Sequence, residues 1–290
     1  LQLGLSTFVS VGNKADVSVN DLLQYWENDP ATRVILLYVE SFGNPRRFAQ
    51  IARRVSRNKP IVVLKAGRTS SGKRAAGSHT AALAANDVAV EALFQQTGIL
   101  RAETLEDIFA LAAGLSDQPL PKGNRVGIIT NAGGPAILCA DACEASGLEV
   151  PELSQATMTH LASSLPPDAA LRNPVDLIAS PDPEQYAQAI AALLKSDDID
   201  ALIILYIAVT ATDVDPIAEG IKKGILDARA TASMKKPIYI GWMVETDRER
   251  RFSFTSETIP TFALPELPAR ALGKIAGYVQ WRERPAGMVP

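Results

Sequence analysis

Residues 125–147 read RVGIITNAGGPAILCADACEASG, and the parsing of this stretch decides the fold. Arg125–Thr130 is a short, mainly apolar run without polar alternation, the pattern of a parallel strand covered on both faces. Asn131, Ala132, Gly133 and Gly134 then make a turn of small residues. Pro135 is predicted at the first helical position, where its missing N–H costs nothing, and the following residues continue as a helix. Strand, glycine turn and helix together open a βαβ unit.

The same alternation recurs outward in both directions. RVILLYVE (33–40) and PIVVLKAG (60–67) upstream are continuous apolar runs that end in Glu or Gly, and DALIILYIAV (200–209) and KPIYIGWMVE (236–245) downstream are two more. All four read as buried parallel strands. Between the first two, Phe48, Ile51, Ala52 and Val55 fall at the 3–4 spacing of an amphipathic helix. DVAVEALFQQTG follows as a second helix, with Asn86 or Asp87 as its cap and Gly98 past its end; residues 104–115 form a third. SDQPLPKGN (116–124) is a turn-rich connector. The expectation is α/β, two tandem flavodoxin-like doubly wound domains over 1–120 and 121–290. In such sheets catalytic groups gather at the carboxyl ends of the strands, where Glu40, Gly67, Asn131 and Glu245 fall. The first half has no strand–glycine–helix unit before LSTFVSV, so its domain is expected to be truncated at its N-terminus, and the chain to be a piece of a longer polypeptide.

Composition narrows the function. The 290 residues are 47% apolar and 21% charged, which suits a globular chain able to bury real cores. A net charge of −3 gives no basic footprint for nucleic acid. No apolar run reaches the roughly 18 residues of a membrane span, and nothing at the start resembles a signal peptide. Cys139 and Cys143 are four apart on one helix face, a spacing that suits buried, reduced thiols and a cytoplasmic address rather than a metal or redox motif. Oligomeric state is left open by the sequence, a homo-oligomer included.

Residues 65–87, KAGRTSSGKRAAGSHTAALAAND, contain G-x-x-x-x-G-K from Gly67 to Lys73. A nucleotide-binding P-loop also needs Ser or Thr after the Lys, and Arg74 stands there, so the match is a decoy. Instead, the stretch surrounds His79, one of two histidines, with Gly, Ala and Ser, which let backbone N–H groups close on an anion. Lys65, Arg68, Lys73 and Arg74 read either as positive potential for that anion or as a solvated basic loop. His160, on a polar helix face, reads as surface.

These blocks carry a family resemblance. STFVSVGNKADVSVNDLLQYWENDPATRVILLYVESFGNPRRFAQIARRV, KPIVVLKAGRTSSGKRAAGSHTAALA, NRVGIITNAGGPAILCADACEASGL, RNPVDL and the tail IPTFALPELPARALGKIAGYVQWRER together resemble the NDP-forming acyl-CoA synthetases of the succinyl-CoA synthetase superfamily. The resemblance implies a phosphoryl relay. Acyl-CoA and phosphate give an acyl phosphate, which phosphorylates a histidine, and the phosphohistidine passes its phosphoryl group to ADP. The G-S-H-T histidine corresponds to His79, with Gly77, Ser78 and Thr80 around the phosphate. The carboxylate that orients the imidazole corresponds to Glu40. The turn Asn131–Ala132–Gly133–Gly134 corresponds to a helix start aimed at the phosphohistidine. CoA and ATP or ADP with Mg²⁺ are implied mainly through CoA-binding and ATP-grasp domains, supplied by the same polypeptide or by a partner subunit, with a small carboxylic acid as substrate. The family's glycines after S-H-T are replaced by Ala81 and Ala85. A related reading is an acyl-CoA-sensing region of an acyltransferase-fused protein, which has no need of His79. Asn173 and Asp176 of NPVDL, with Glu245, read equally as interface residues or as plain turn and cap residues.

Overall fold

A computed structural model describes residues 4–12, 16–69, 71–72, 87–178, 181–208, 214–231, 235–244, 252–254 and 257–285. The chain divides into two compact units, one of residues 117–279 and one of residues 3–116 with 280–290.

The smaller unit carries α1 (Val19–Asn28), β1 (Ile35–Val39), α2 (Pro45–Val55), β2 (Ile61–Lys65), α3 (Asp87–Thr97), β3 (Leu100–Ala102) and α4 (Leu105–Asp117, whose last residue falls across the division). Its strands are all parallel, in the order β1-β2-β3, with Val39 beside Lys65 at the last rung of β1 and β2. Asn44 starts α2 by accepting from the Arg47 N–H, and Pro45 fills the first position. The helix then buries Phe48, Ile51, Ala52 and Val55, the face expected from their spacing. These meet Leu23 of α1, Ile61 and Val63 of β2 and Phe94 of α3 in one core. Burying each large side chain there stabilises by about 1.5–3 kcal/mol. Helix α3 stops at Gly98, whose φ of 72° is the left-handed stop expected past its end.

The larger unit carries β4 (Val126–Thr130), α5 (Gly133–Ala145), α6 (Gln155–Ala162), β5 (Val175–Asp176), α7 (Pro183–Lys195), β6 (Ala201–Ile207), α8 (Asp215–Thr231), β7 (Ile238–Met243), β8 (Thr261–Phe262) and α9 (Glu266–Glu283), whose last turn belongs to the smaller unit. The sheet is parallel throughout, in the order β5-β4-β6-β7-β8. Numbered within the unit this is 2-1-3-4-5, the flavodoxin order, whose switch point lies between its first and third strands. Here those are β4 and β6. Strands β4 and β6 are buried along their length except for half-buried Ile207, as two-sided helix cover requires.

Strands β3, β5 and β8, of two or three residues each, lie outside the expected set, being too short to raise an apolar run. Pro135 stands third in α5, because the helix begins two residues earlier, at Gly133. The position still costs no hydrogen bond, since the first intrahelical bond runs from the Ala136 N–H to the Ala132 carbonyl.

Candidate functional site

At the carboxyl end of β4 the main chain leaves the sheet, and the side chains there act on the backbone. The Thr130 hydroxyl is fully buried and lies 3.1 Å from both the N–H and the carbonyl of Ala132, pinning the turn. Asn131 is 2% exposed. Its Nδ2 donates to the Ile207 carbonyl at 2.9 Å, and its Oδ1 accepts from the Ile207 N–H at 3.0 Å. Both halves of the amide are therefore engaged by one residue of β6. The Tyr186 hydroxyl of α7 donates to the Leu205 carbonyl at 2.9 Å and lies 3.4 Å from Asn131 Oδ1. Burial, then the neighbouring Tyr206 and Asp176, push the Tyr186 phenol well up, so it stays protonated.

The turn delivers helix α5 with its amides open. Asn44, Ser154 and Asp182 cap α2, α6 and α7 with side-chain oxygens. Ala132 precedes α5 and has no side-chain oxygen to offer. Gly133 and Gly134 are exposed, and neither has a positive φ. A Cβ on Gly134 would meet nothing within 4 Å, and one on Gly133 only the Asp176 carboxylate at 3.7 Å. The fold therefore does not require glycine at either place. What the two glycines leave is bare backbone N–H at a helix start, where partial positive charge attracts anions. Asp176, whose Oδ1 accepts from the Ile178 N–H, brings a carboxylate to the same rim, so an anion there meets both amides and one opposing charge.

In the smaller unit, Glu40 is exposed and follows β1 directly, one position past the Val39–Lys65 rung. The neighbouring strand exit continues through Gly67 at φ 70° into the segment that carries His79. His79, Gly77, Ser78, Thr80, Lys73, Arg74, Ala81, Ala85 and Asn86 lie outside the described residues, as does Glu245. Two of the basic residues expected to supply positive potential are described, and neither points a bare charge at an anion. Lys65 is 7% exposed, with its ammonium on the Ala66 carbonyl. Arg68 pairs with Glu103 and reaches Asp87 at 3.6 Å.

These pairs belong to an ionic ring that the sequence did not announce. Arg101 on β3 is 10% exposed and contacts Asp87 at 2.7 Å, Glu91 at 2.8 Å and Glu103 at 3.0 Å. Hydrogen bonding to Arg101 lowers the Asp87 pKa most; burial opposes this, and the charges of Arg101, Arg68 and Lys65 assist it. The available signals were the i, i+4 acids Asp87 and Glu91 on one helix face and a lone Arg within a very short strand.

The remaining candidates have local roles. Asn173 bonds the Ile128 N–H and the carbonyls of Val126 and Pro151, staying inside its own unit as a turn residue. His160 is exposed. Cys139 and Cys143 are buried free thiols, and their mutual hydrogen bond together with burial pushes the Cys139 thiol up and out of reactivity. Among the described residues no group of three or more His, Cys, Asp or Glu could hold a metal ion, and no helix is long and apolar enough to cross a membrane.

Each of the two parallel α/β units matches a domain of the CoA-ligase class. Residues 1–115 match the succinyl-CoA ligase like flavodoxin domain, and residues 126–290 match the Ligase-CoA domain. The chain is 39% identical over 270 residues to the alpha subunit of acetate–CoA ligase [ADP-forming] II of Pyrococcus furiosus, covering 93% of this chain and 58% of the relative. It is 35% identical over 284 residues to the corresponding form I subunit, covering 98% and 60%. A solved structure of Ca. Korarchaeum cryptofilum dinucleotide forming acetyl-coenzyme A synthetase 1, in complex with phosphate and ADP, superposes with a TM-score of 0.85 at 35% identity, covering 94% of this chain and 59% of that one. The chain belongs to the NDP-forming acyl-CoA synthetase family of the succinyl-CoA synthetase superfamily. It spans about three-fifths of the length of each of these three proteins.

Proposed function

We propose that this chain is the phosphoryl-relay part of an ADP-forming acid–CoA ligase, working with CoA-binding and ATP-grasp domains in the same polypeptide or a partner subunit. In this reading an oxygen of inorganic phosphate attacks the acyl-CoA carbonyl. The C–S bond breaks, CoA leaves as its thiol, and an acyl phosphate forms. A neutral His79 nitrogen attacks phosphorus, the P–O bond to the acyl group breaks, and the carboxylic acid leaves as its anion. A β-phosphate oxygen of ADP then takes the phosphoryl group, breaking the P–N bond and restoring His79. An imidazole serves because its second nitrogen, held by a carboxylate, keeps the attacking lone pair free. Glu40 is that carboxylate, one strand away from the exit that leads to His79.

The observation that carries this reading is the open start of α5. Gly133 and Gly134 are not demanded by backbone conformation or packing, and they leave amides with no side chain in front of them. A phosphate or phosphoryl oxygen is the partner such a helix start favours. Two relatives are named as ADP-forming acetate–CoA ligase subunits, and a separate structural neighbour, an acetyl-coenzyme A synthetase, was solved with phosphate and ADP; acetate is accordingly the first acid to test. Nothing in their names favours an acyl-CoA sensor. Mg²⁺ would travel with the nucleotide, and the described residues offer no cage for it.

The test is to incubate the full-length enzyme with γ-labelled ATP and Mg²⁺. Acid-labile, base-stable label is expected on wild type, and none on His79→Ala, with turnover down by at least about 10³-fold, the scale for losing a covalent nucleophile. Equal label on His79→Ala would sink the relay.

A further inference from the structure

The β4–β6 ladder closes at Ile129 opposite Ile204, because β4 turns away into α5. Ile207 lies beyond this point, and its N–H and carbonyl would need new partners. The Asn131 side-chain amide supplies both, at 3.0 and 2.9 Å. It acts as a detached peptide group that continues the pairing after the main chain has left. Tyr186, fully buried, holds the Leu205 carbonyl and lies against Asn131 Oδ1. Two residues beyond Asn131 stands Gly133, the first residue of α5.

We infer that Asn131 is a positioning residue for the phosphate step: it splices the turn to the end of β6 and so fixes where the Gly133 and Gly134 amides point, without touching phosphate itself. The inference rests on the relay reading above, and replaces direct phosphate contact as the role of this side chain. Both ends of its amide are already used, and only 2% of its surface is open. Its value lies in donating and accepting at once, which among near-isosteres only an amide or a protonated carboxyl can do.

That property supplies the test. Asn131→Asp is close in shape but, when ionised, cannot donate to the Ile207 carbonyl; when protonated, it can. The titratable group against it is the Tyr186 phenol at 3.4 Å, which stays protonated, with Tyr206 and Asp176 in turn beside that phenol. Full-length wild type and Asn131→Asp are compared with acetyl-CoA, ADP and varied inorganic phosphate from about pH 8 down to about pH 5.5. At the upper end the phosphate KM of the variant is expected about tenfold above wild type, the equivalent of one net hydrogen bond. kcat should fall less, and the KM ratio should close as pH falls and the carboxyl protonates. Tyr186→Phe, which leaves the Asn131–Ile207 pair intact, should raise phosphate KM two- to threefold at every pH. If Asn131→Asp fails to fold, Tyr186→Phe decides alone.

A lowered melting temperature with unchanged phosphate KM overturns the inference and leaves a purely structural residue. A raised KM that never recovers at low pH also overturns it, in favour of direct contact. Histidine phosphorylation from ATP in wild type is measured in parallel. Its absence defeats the relay reading, whereas its presence with either contrary result defeats this inference alone.

Discussion

Two strand exits in this molecule begin alike and solve different problems. Strands β2 and β4 are both five residues long, parallel and buried throughout, and each runs into glycine. After β2, Gly67 holds φ at 70°, and the chain around it is secured by charge, through Arg68, Asp87, Arg101 and Glu103. After β4, Gly133 and Gly134 have ordinary φ, and the chain is secured by neutral hydrogen bonds from Thr130 and Asn131. The first glycine serves the backbone. The other two serve whatever comes to the helix start. Glycine in a motif therefore carries two meanings, and only φ together with the space around Cα separates them.

The contrast predicts a graded set of effects. Replacing Arg101 by Gln strands three carboxylates beside one remaining arginine. A buried pair broken on one side costs about 3–5 kcal/mol. Because its partners are 42–43% exposed and surface pairs count for little, about 2 kcal/mol is expected, seen as a thermal transition several degrees lower. Asp87 adds a pH signature to the same variant. Its folded pKa is lowered, so its contribution is complete above the unfolded value of about 3.9 and is lost as pH falls through the folded one. Wild type should lose stability below about pH 4, and Arg101→Gln should flatten that dependence. A variant melting within a degree of wild type at all pH values would reduce the ring to a surface ornament.

Gly67→Ala comes next, at about 1–2 kcal/mol, the cost of holding an L side chain in the left-handed region. Denaturant unfolding of the two proteins would measure it, and an unchanged midpoint would mean the loop shifts to a different φ. The smallest stability effect is expected at Gly134→Ala, within about 0.5 kcal/mol, since the added methyl meets nothing and alanine favours helix. Its phosphate KM should nonetheless rise severalfold, because the methyl stands in front of the amides. If that KM stays put while the fold is equally stable, the two exits do not differ in the way described.

Much of this architecture was legible as one-dimensional pattern. Strands β2, β4, β6 and β7 are near-continuous apolar runs, as two-sided burial in a parallel sheet imposes. Strand β1, expected to be covered on both faces, is as apolar but buries only alternate residues and leaves Tyr38 exposed. The buried face of α2 follows from the spacing of Phe48, Ile51, Ala52 and Val55. Strands β3, β5 and β8 were not legible, because two or three residues make a strand only when a neighbour supplies their hydrogen bonds. The C-terminal residues were not legible either. Trp281 packs over Gly98 and Arg57, and Arg57 donates to the carbonyls of Arg282 and Arg284, which returns this end to the smaller unit.

What the amino-acid order determined by itself was the alternation of buried strands and helices, the glycine turns and the residue types gathered around His79, because periodicity and small side chains are local properties. What tertiary structure alone decided was how particular side chains are employed. It drew Asn131 into pairing with a strand 76 positions away, tied Arg68 to acids beyond the histidine segment, and left the Gly133 and Gly134 amides without a cap. A hydrogen bond or ion pair belongs to two residues at once, and no single stretch of chain contains both.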